Sequence, residues 1–235
     1  MYGKFDYSLR YSDKKISFGF RKKGNYFEYY REGPDGENIT KRLISRTGSV
    51  VVNPVEPLNL PETVTNYLEI EFSSIFIEPN QKFQIFLKFP IEIGVFVVAQ
   101  KDMEEIDIFS FVSQKYSLYG PPSGGIITRW YYSDVHSKYP ETDPIREGVI
   151  SLEIENATSE WAEVSRVVFD GYAMKIFYDG RVIMQAKMKI GSSHSAETSF
   201  ESTTPQTGMT KSIELYTARK LPAVKKTFLM EWGLV

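Results

Sequence analysis

Cysteine is absent from the 235-residue chain and histidine occurs only twice, and both shortages remove whole classes of chemistry. Without cysteine there are no disulfides, no thiolate metal ligands, no iron–sulfur clusters and no cysteine nucleophiles. Long apolar runs are also missing, because the longest uncharged apolar segment, residues 93–99, is too short to span a bilayer. The chain starts in a strand-like pattern without an apolar signal core, so we predict a cytoplasmic protein without membrane insertion.

Nucleotide-binding and hydrolase motifs are missing too. Residues 19–24 have glycines at phosphate-loop spacing, but Asn25 and Tyr26 stand where that loop needs a lysine and a hydroxyl residue. No serine lies in a nucleophile elbow, and there is no glycine fingerprint for a dinucleotide. We therefore predict no cofactor, and the sequence favours a protein that is not an enzyme.

What the chain does contain is a β-type composition, with 14% aromatic residues that include 15 Tyr and 16 Phe. Residues 68–98 show the clearest pattern. Apolar side chains alternate from Leu68 to Phe72, and the odd-numbered residues from Phe83 to Val97 are apolar on both sides of Pro90. One straight strand over residues 83–98 would be unusually long, so we predict a bend at Pro90 that carries the chain from one sheet of a sandwich to the other.

The predicted fold class is all-β, with two β-sandwich-like units of mainly antiparallel strands; one large continuous β-sandwich is the alternative. Residues 120–125 contain only Gly, Pro and Ser, which sustain neither a ladder nor a helix. We place a division there, with an N-terminal domain of residues 1–119 and a C-terminal domain of residues 120–235. Two Asp-Gly pairs around residues 172–178 predict a three-stranded meander.

Two further features concern segments without a clear strand pattern and the distribution of charge. Residues 191–211 are rich in Ser and Thr without an apolar period, which predicts a loop. Residues 1–46 carry 11 Lys and Arg against 6 Asp and Glu, whereas residues 47–160 carry 7 against 17. This asymmetry is typical either of a partner surface or of two parts of one fold that attract each other.

One candidate ligand site follows the glycine-rich segment. Arg129, Trp130 and Tyr132 are residue types that anchor sugars or protein partners, although large aromatic residues also commonly fill a core. Asp134 and His136 are two residues apart, so on a strand they would share one face and could hold a divalent metal or act as an acid–base pair. The alternative for this pair is a solvated loop.

A second candidate is the basic and aromatic N-terminal region. Aromatic platforms beside cations are what binding of single-stranded nucleic acid requires. The predicted nucleic-acid-binding residues are Arg21, Lys22, Lys23, Tyr29 and Arg31. Alternation would place about half of the aromatic residues in a core, and the chain as a whole has no basic balance.

Glu92 is a different kind of signal, because it interrupts an apolar segment. A buried carboxylate needs a partner such as Arg or Lys and is a candidate functional group. The alternative is a charge at the exposed end of a strand.

Several short motifs in the first half of the chain carry a family resemblance. They lie at residues 2–3, 53–57, 68–72, 77–79 and 89–95. With these motifs the chain resembles an archaeal family of domains of unknown function, family 432. The resemblance implies an archaeal, cytoplasmic origin and offers no catalytic residues to carry over.

Together these observations favour a non-catalytic binding or protein-interaction module, with a protein partner or a homo-oligomer. One alternative is a metal-dependent enzyme or sugar-binding protein that uses residues 129–143. The second alternative is single-stranded nucleic-acid binding through the basic N-terminal region.

Overall fold

The computed structural model describes residues 1–13, 16–33, 38–45, 48–60, 64–99, 102–221 and 225–234. Within these residues strands are the predominant regular structure and helix is limited to single turns, which confirms the all-β prediction. In chain order the strands are β1 (Gly3–Phe5), β2 (Arg10–Ser12), β3 (Ser17–Lys23), β4 (Tyr26–Glu32), β5 (Asn38–Leu43), β6 (Ser49–Val55), β7 (Tyr67–Ile77), β8 (Lys82–Pro90), β9 (Glu92–Ala99), β10 (Asp102–Phe109), β11 (Tyr116–Tyr119), β12 (Ile126–Tyr132), β13 (Glu147–Asn156), β14 (Ala162–Asp170), β15 (Phe177–Tyr178), β16 (Val182–Ser192), β17 (Ser195–Phe200), β18 (Thr210–Lys211) and β19 (Thr227–Met230). A four-residue helix, α1, spans Leu215–Ala218.

The strands form four sheets. Sheet I has the order β1-β6-β9-β10, sheet II β2-β3-β4-β5 and sheet III β11-β12-β7-β14. Sheet IV has the order β18-β15-β16-β13-β8, with β17 paired to β16 and β19 paired to β17. All pairs are antiparallel except β12 with β7 and β13 with β16, so the prediction of mainly antiparallel strands is confirmed.

Two hydrophobic cores divide the sheets into two sandwiches. Sheets I and II enclose the smaller core, in which Phe18 of sheet II lies against Phe109 of sheet I with ring centroids 5.4 Å apart. Sheets III and IV enclose the larger core, which includes Ile70 and Leu152. We call these the small sandwich and the large sandwich. The outer face of sheet I is covered by α1, whose Leu215 is buried beside Phe96.

Strand pairing crosses the predicted division between residues 119 and 120. Strands β7 and β8 precede it, yet β7 pairs with β12 and β14, and β8 pairs with β13. Strands β9 and β10 then return the chain to the small sandwich. Segments on both sides of this point therefore share sheets III and IV, and the boundary between domains of residues 1–119 and 120–235 stays a prediction.

The chain bends at Pro90 as predicted, but the bend connects the two sandwiches and not the two sheets of one sandwich. Strand β8 ends at Pro90 in sheet IV, and β9 begins two residues later in sheet I. The odd-numbered side chains stay on the apolar face, but Phe89 and Ile91 lie in the large core whereas Ile93 lies in the small core. The odd-numbered residues therefore stay buried while the chain crosses from the core of the large sandwich to the core of the small one.

The predicted meander is half correct. Gly180 has a φ of 109°, and the Asp179-Gly180 turn joins β15 to β16 as an antiparallel hairpin. The first Asp-Gly pair is not a hairpin turn, because the Asp170 carboxylate accepts from Tyr172 N and caps a short 3-10 turn. The strand before this pair, β14, therefore does not join β15 and β16 in sheet IV; it belongs to sheet III.

The loop predicted over residues 191–211 is wrong in its first half. Residues Ser195–Phe200 form β17, which pairs with β16 and β19. Thr198 of this strand is buried and donates a hydrogen bond to the Val168 carbonyl at 2.6 Å. A serine- and threonine-rich strand is stable here because both of its edges are paired.

Among the described residues there is no helix that is long and apolar enough to cross a membrane.

Candidate functional site

Three large aromatic side chains lie exposed around one cleft at an end of the large sandwich. Phe76 is 66% exposed, Phe83 is 58% exposed and Trp161 is 63% exposed. The cleft has a volume of about 360 Å³. Its lining residues are Ile75, Phe76, Ile77, Glu78, Gln81, Lys82, Phe83 and Trp161. We call it the aromatic cleft. Clustered exposed apolar side chains of this kind mark interaction sites.

The strand ends place the three rings. Phe76 is the penultimate residue of β7, Phe83 is the second residue of β8, and Trp161 directly precedes β14. The turn between β7 and β8 contains Asn80 with a φ of 55°, a left-handed conformation that asparagine tolerates better than most residues. Because each ring sits where a strand begins or ends, the sandwich does not cover it.

Asn156 holds this end of the sandwich together. Its fully buried amide donates to the carbonyl oxygens of Ile77 at 3.0 Å, Glu78 at 3.3 Å and Glu160 at 2.8 Å. Its side-chain oxygen accepts from the Thr158 amide at 3.0 Å. One side chain thereby joins the β7–β8 turn to the loop before β14. The main-chain segments beside Phe76 and Trp161 are thereby fixed before any ligand arrives, which lowers the entropic cost of binding.

Carboxylates predominate around the aromatic cleft. Glu78 lines the cleft, Glu160 directly precedes Trp161 in the chain, and Glu163 follows Trp161 by two residues. Glu163 lies opposite Phe76 in the β7–β14 ladder, so the two side chains share one face of the sheet. The ammonium of Lys82, which lines the cleft, lies 3.0 Å from the Glu155 carboxylate. Its charge is therefore offset, and the surroundings of the rings are net negative.

An open sheet edge adjoins the aromatic cleft. Strand β8 is the last strand of sheet IV, and β13 occupies only one of its sides. On the other side Phe86 N donates to the His136 carbonyl at 2.9 Å, and His136 N donates to the Phe86 carbonyl at 3.0 Å. The main chain of Gln84 points to this same side, because alternate residues of an antiparallel strand do so. Within the described residues, no strand pairs with this side of β8 before Phe86.

Two members of the ligand site predicted from the sequence lie together on the outer face of sheet III. Trp130 Nε1 donates to Glu71 Oε2 at 2.9 Å, and the Tyr132 hydroxyl lies 3.2 Å from Ser73 Oγ. Tyr132 is 45% exposed. These contacts orient both rings across the sheet toward β7, and neither residue lines the aromatic cleft.

Arg129 points to the opposite face and is buried, so it is not an anchor on the protein surface. Its guanidinium donates to the carbonyl oxygens of Lys115 at 3.2 Å and Ser113 at 3.5 Å. Burial lowers the pKa of Arg129, and the nearby Glu92 carboxylate opposes this effect. These hydrogen bonds connect β12 of the large sandwich to residues 113–115, which lead from β10 to β11 at the junction between the two sandwiches.

Glu92 is fully buried at this junction, so of the two interpretations the exposed strand end is wrong and the buried carboxylate is correct. Oε2 accepts from the Asn59 amide at 3.0 Å and from Asn59 Nδ2 at 2.9 Å. Burial raises the pKa of Glu92 to about 7, partly countered by those hydrogen bonds and by the charge of Arg129. Its direct partner is therefore an asparagine, and Arg129 contributes through electrostatic attraction.

Asp134 and His136 lie apart from the other predicted ligand residues. Asp134 is exposed, and the main chain of His136 bridges to Phe86 at the edge of sheet IV. In the part of the chain that the structure describes, no group of three or more His, Cys, Asp or Glu side chains could hold a metal ion. The five predicted residues thus divide among three places, and their ligand-binding role stays a prediction.

The predicted nucleic-acid residues also divide into two groups. Arg21, Lys22 and Lys23 are exposed, but Tyr29 and Arg31 are only 0% and 2% exposed. The last two are corrected to core residues, because the Tyr29 hydroxyl and Arg31 Nε donate to Asp107 Oδ2 at 2.7 and 2.6 Å. Burial, together with the Asp107 charge, raises the pKa of Tyr29.

The outer face of sheet II nevertheless combines cations with aromatic rings. The Arg21 guanidinium lies 3.8 Å from the centroid of the Tyr30 ring, and the Arg42 guanidinium lies 5.7 Å from that of Tyr26. Both tyrosines alternate with the buried Tyr29, so parity assigns them to the face toward solvent. The aromatic residues available to a nucleic acid are therefore Tyr26 and Tyr30.

The aromatic cleft was not among the sites predicted from the sequence. Phe83 has the same parity as the core residues Ile85 and Leu87, so alternation assigned it to the interior. Only its position at the strand end leaves it exposed. A usable signal was present at the boundaries of the strand patterns, where Phe76 lies two residues before Glu78 and Trp161 directly follows Glu160.

Among known proteins, no curated protein and no solved structure matches the chain. A protein-family model does match, namely that of the family described as protein of unknown function (DUF432), and it covers residues 1–231. The match extends the resemblance seen in the first half of the sequence through both sandwiches. The chain belongs to the DUF432 family.

Proposed function

We propose that this protein is a non-catalytic binding module whose binding surface is the aromatic cleft. The observation that supports it is the convergence of Phe76, Phe83 and Trp161, each more than half exposed, on one cleft. An aromatic side chain buries roughly 150–250 Å² when covered, so covering the exposed part of one ring contributes about 2 to 3 kcal/mol. Three such rings supply the central anchors of a binding site.

The polar groups of the aromatic cleft favour binding over catalysis. They are the Glu78 carboxylate, the Gln81 amide and the Lys82 ammonium, which is engaged by Glu155. Covalent catalysis requires a nucleophile beside a base, and general acid–base catalysis requires groups aimed at one reacting atom. We accordingly propose a protein partner that is bound through apolar anchors. The family resemblance supports the further proposal that this binding takes place in the cytoplasm of an archaeal cell.

Selection from a displayed library of random peptides tests this function. We expect the wild-type protein to enrich specific peptides, and Trp161→Ala to lower their binding by at least about tenfold because it removes a central anchor. Leu229→Ala is the matched control, since Leu229 is 58% exposed and does not line the cleft. Binding is measured by fluorescence anisotropy of the enriched peptides.

The proposal is contradicted if no peptide is enriched, or if Trp161→Ala and Leu229→Ala bind the enriched peptides equally well. Trp161 is mostly exposed, so its truncation leaves the core intact and the comparison does not depend on a change of fold.

A second candidate function, binding of single-stranded nucleic acid, is supported by the cation–aromatic pairs on the outer face of sheet II. We expect oligothymidylate to bind at low salt and to dissociate as salt rises, because the contacts are largely to phosphates. The double variant Arg21→Ala, Arg42→Ala should weaken binding by about tenfold or more. Measurement is by anisotropy of a labelled oligonucleotide.

The matched control for the nucleic-acid experiment is Lys187→Ala, Lys189→Ala, which removes the same charge from exposed positions of the large sandwich. Equal losses in the two double variants would show only a general effect of net charge. That outcome, or an absence of binding at low salt, rejects this second function.

A further inference from the structure

We infer that the aromatic cleft receives an extended, basic peptide segment of a partner protein, which pairs with the open edge of β8 and places an arginine or lysine side chain among the three rings. The inference rests on the proposed function and adds the chemistry of the occupant. Three observations support it: the exposure of the three rings, the charge around the cleft and the sheet edge beside it.

The depth of the aromatic cleft favours an occupant that extends beyond it. More than half of each ring surface is in contact with solvent. Sites for small molecules bury most of the surface of their ligand, which this cleft does not do. A peptide gains its remaining contacts along the neighbouring surface, and the binding energy is then not limited to the cleft.

The charge around the aromatic cleft favours a cation. Glu78 lines the cleft, Glu163 lies opposite Phe76 in the β7–β14 ladder, and Glu160 directly precedes Trp161 in the chain. The lysine in the lining, Lys82, pairs with Glu155 at 3.0 Å. Aromatic faces attract ammonium and guanidinium groups through their quadrupole, most strongly in the case of tryptophan. An arginine side chain satisfies both features at once, since its guanidinium stacks on a ring while it pairs with a carboxylate.

The edge of β8 supplies main-chain hydrogen bonds. Lys82 and Phe83 line the cleft and belong to this edge strand, and the outward N–H and C=O groups of Gln84 are directed away from β13. The bridge between Phe86 and His136 shows that the same edge accepts an antiparallel partner. An extended segment added there would place alternate side chains toward the rings, as in recognition by strand addition.

Synthetic peptides test the inference directly. The probes are a peptide of alternating arginine and valine, the same peptide with glutamate in place of arginine, and the arginine peptide N-methylated at alternate residues. We expect only the unmethylated arginine peptide to bind the full-length protein, with affinity at least about tenfold above that of either other peptide. Glu78→Lys should weaken its binding by a similar factor.

Gln84→Pro tests the strand edge from the protein side. Proline removes the outward N–H of residue 84, while the ladder between β8 and β13 keeps its hydrogen bonds. Gln84→Ala is the control, because it loses the same side chain, including the hydrogen bond to Ser151 at 2.6 Å. We expect Gln84→Pro to bind about tenfold more weakly than Gln84→Ala. The N-methylated peptide makes the same test without altering the protein.

Several results would overturn the inference. Equal binding of the glutamate peptide removes the charge argument, and full binding of the N-methylated peptide removes the strand addition. Binding of free arginine as tight as that of the peptide would show a small-molecule site, and dimerisation abolished by Trp161→Ala would show that a second copy is the occupant. If the library selects acidic or neutral peptides through Trp161, this inference fails and the proposed function stands.

Discussion

Asp107→Ala is expected to lower the free energy of unfolding by about 3 to 5 kcal/mol. Asp107 is 5% exposed, and its Oδ2 accepts from both the Tyr29 hydroxyl and Arg31 Nε. Without the carboxylate, the Arg31 guanidinium beside the Phe109 ring loses the ion pair that it makes with Asp107 Oδ2. The cost is large because both side chains of this pair are almost completely buried.

The choice of probe matters for this measurement. Trp130, Trp161 and Trp232 are the three tryptophans of the chain, and all of them lie in or against the large sandwich. Tryptophan fluorescence therefore follows the large sandwich, whereas far-ultraviolet circular dichroism follows the strands of both. Urea unfolding of wild type and Asp107→Ala should show the full loss of stability by circular dichroism.

The control replaces the whole ion pair. The double variant Arg31→Met, Asp107→Leu removes both charges of this pair, so we expect it to recover most of the stability that Asp107→Ala loses. A loss below about 1 kcal/mol in Asp107→Ala would contradict the assignment, because that is the range of exposed ion pairs. So would a double variant that is no more stable than Asp107→Ala.

Raising the pH from about 4.5 to about 9 should destabilise the protein through two buried carboxyls, Glu56 and Glu92. Burial is the main cause that raises the pKa of Glu56 from 4.5 to about 8, and it raises that of Glu92 to about 7. The folded state therefore binds these protons more tightly than the unfolded chain. Their stabilising contribution is complete below about pH 4.5 and is lost as the pH rises through about 7 and 8.

Glutamine at either position should remove the part of the pH dependence of stability that the replaced carboxyl causes. Each unit of raised pKa corresponds to about 1.4 kcal/mol, so Glu56→Gln should be several kcal/mol more stable than wild type above about pH 8 and nearly equal to it near pH 4.5. Glu92→Gln should show the same trend at slightly lower pH. The melting temperature at a series of pH values measures both.

Glu197→Gln is the matched control for the pH series, because Glu197 is an exposed residue of β17. We expect its stability profile to follow that of the wild type. Parallel profiles for Glu56→Gln, Glu92→Gln and wild type would contradict the assignment of raised pKa values to these two carboxyls.

The period-two pattern was the most reliable guide to the architecture. It predicted strands on both sides of Pro90, and the structure has β8 and β9 there. Alternation works because a buried sheet face excludes polar side chains at every second position. The same reasoning assigned Phe83 to the interior, and it failed because the sandwich ends before that residue.

Local patterns did not reveal where the strands pair. Strand β14 precedes an Asp-Gly pair of the same kind as the one that joins β15 to β16, yet it joins sheet III, whereas they join sheet IV. A register shift between Glu105 and Asp107 in β10 likewise accompanies the burial of Asp107 in the small sandwich. Such a bulge inserts a residue without leaving a repeat in the sequence, so alternation cannot reveal it.

The candidate site was the part least accessible from sequence, since its members come from distant segments. Phe76 and Trp161 are 85 positions apart in the numbering and line one cleft. Residues that are close in sequence were easier to group but were dispersed by the fold. Arg129 and Trp130 are neighbours, yet strand geometry sends them to opposite faces of sheet III.

By itself the sequence determined the all-β class, the bend at Pro90 and the absence of cysteine chemistry, because these depend on composition and on the period of one strand. Only the tertiary structure decided that Tyr29 and Arg31 are buried around Asp107 and that three aromatic rings meet at an open sheet edge. Periodicity reports that a face is buried. It does not report which face of another strand covers it, and that choice is set by packing between segments far apart in the chain.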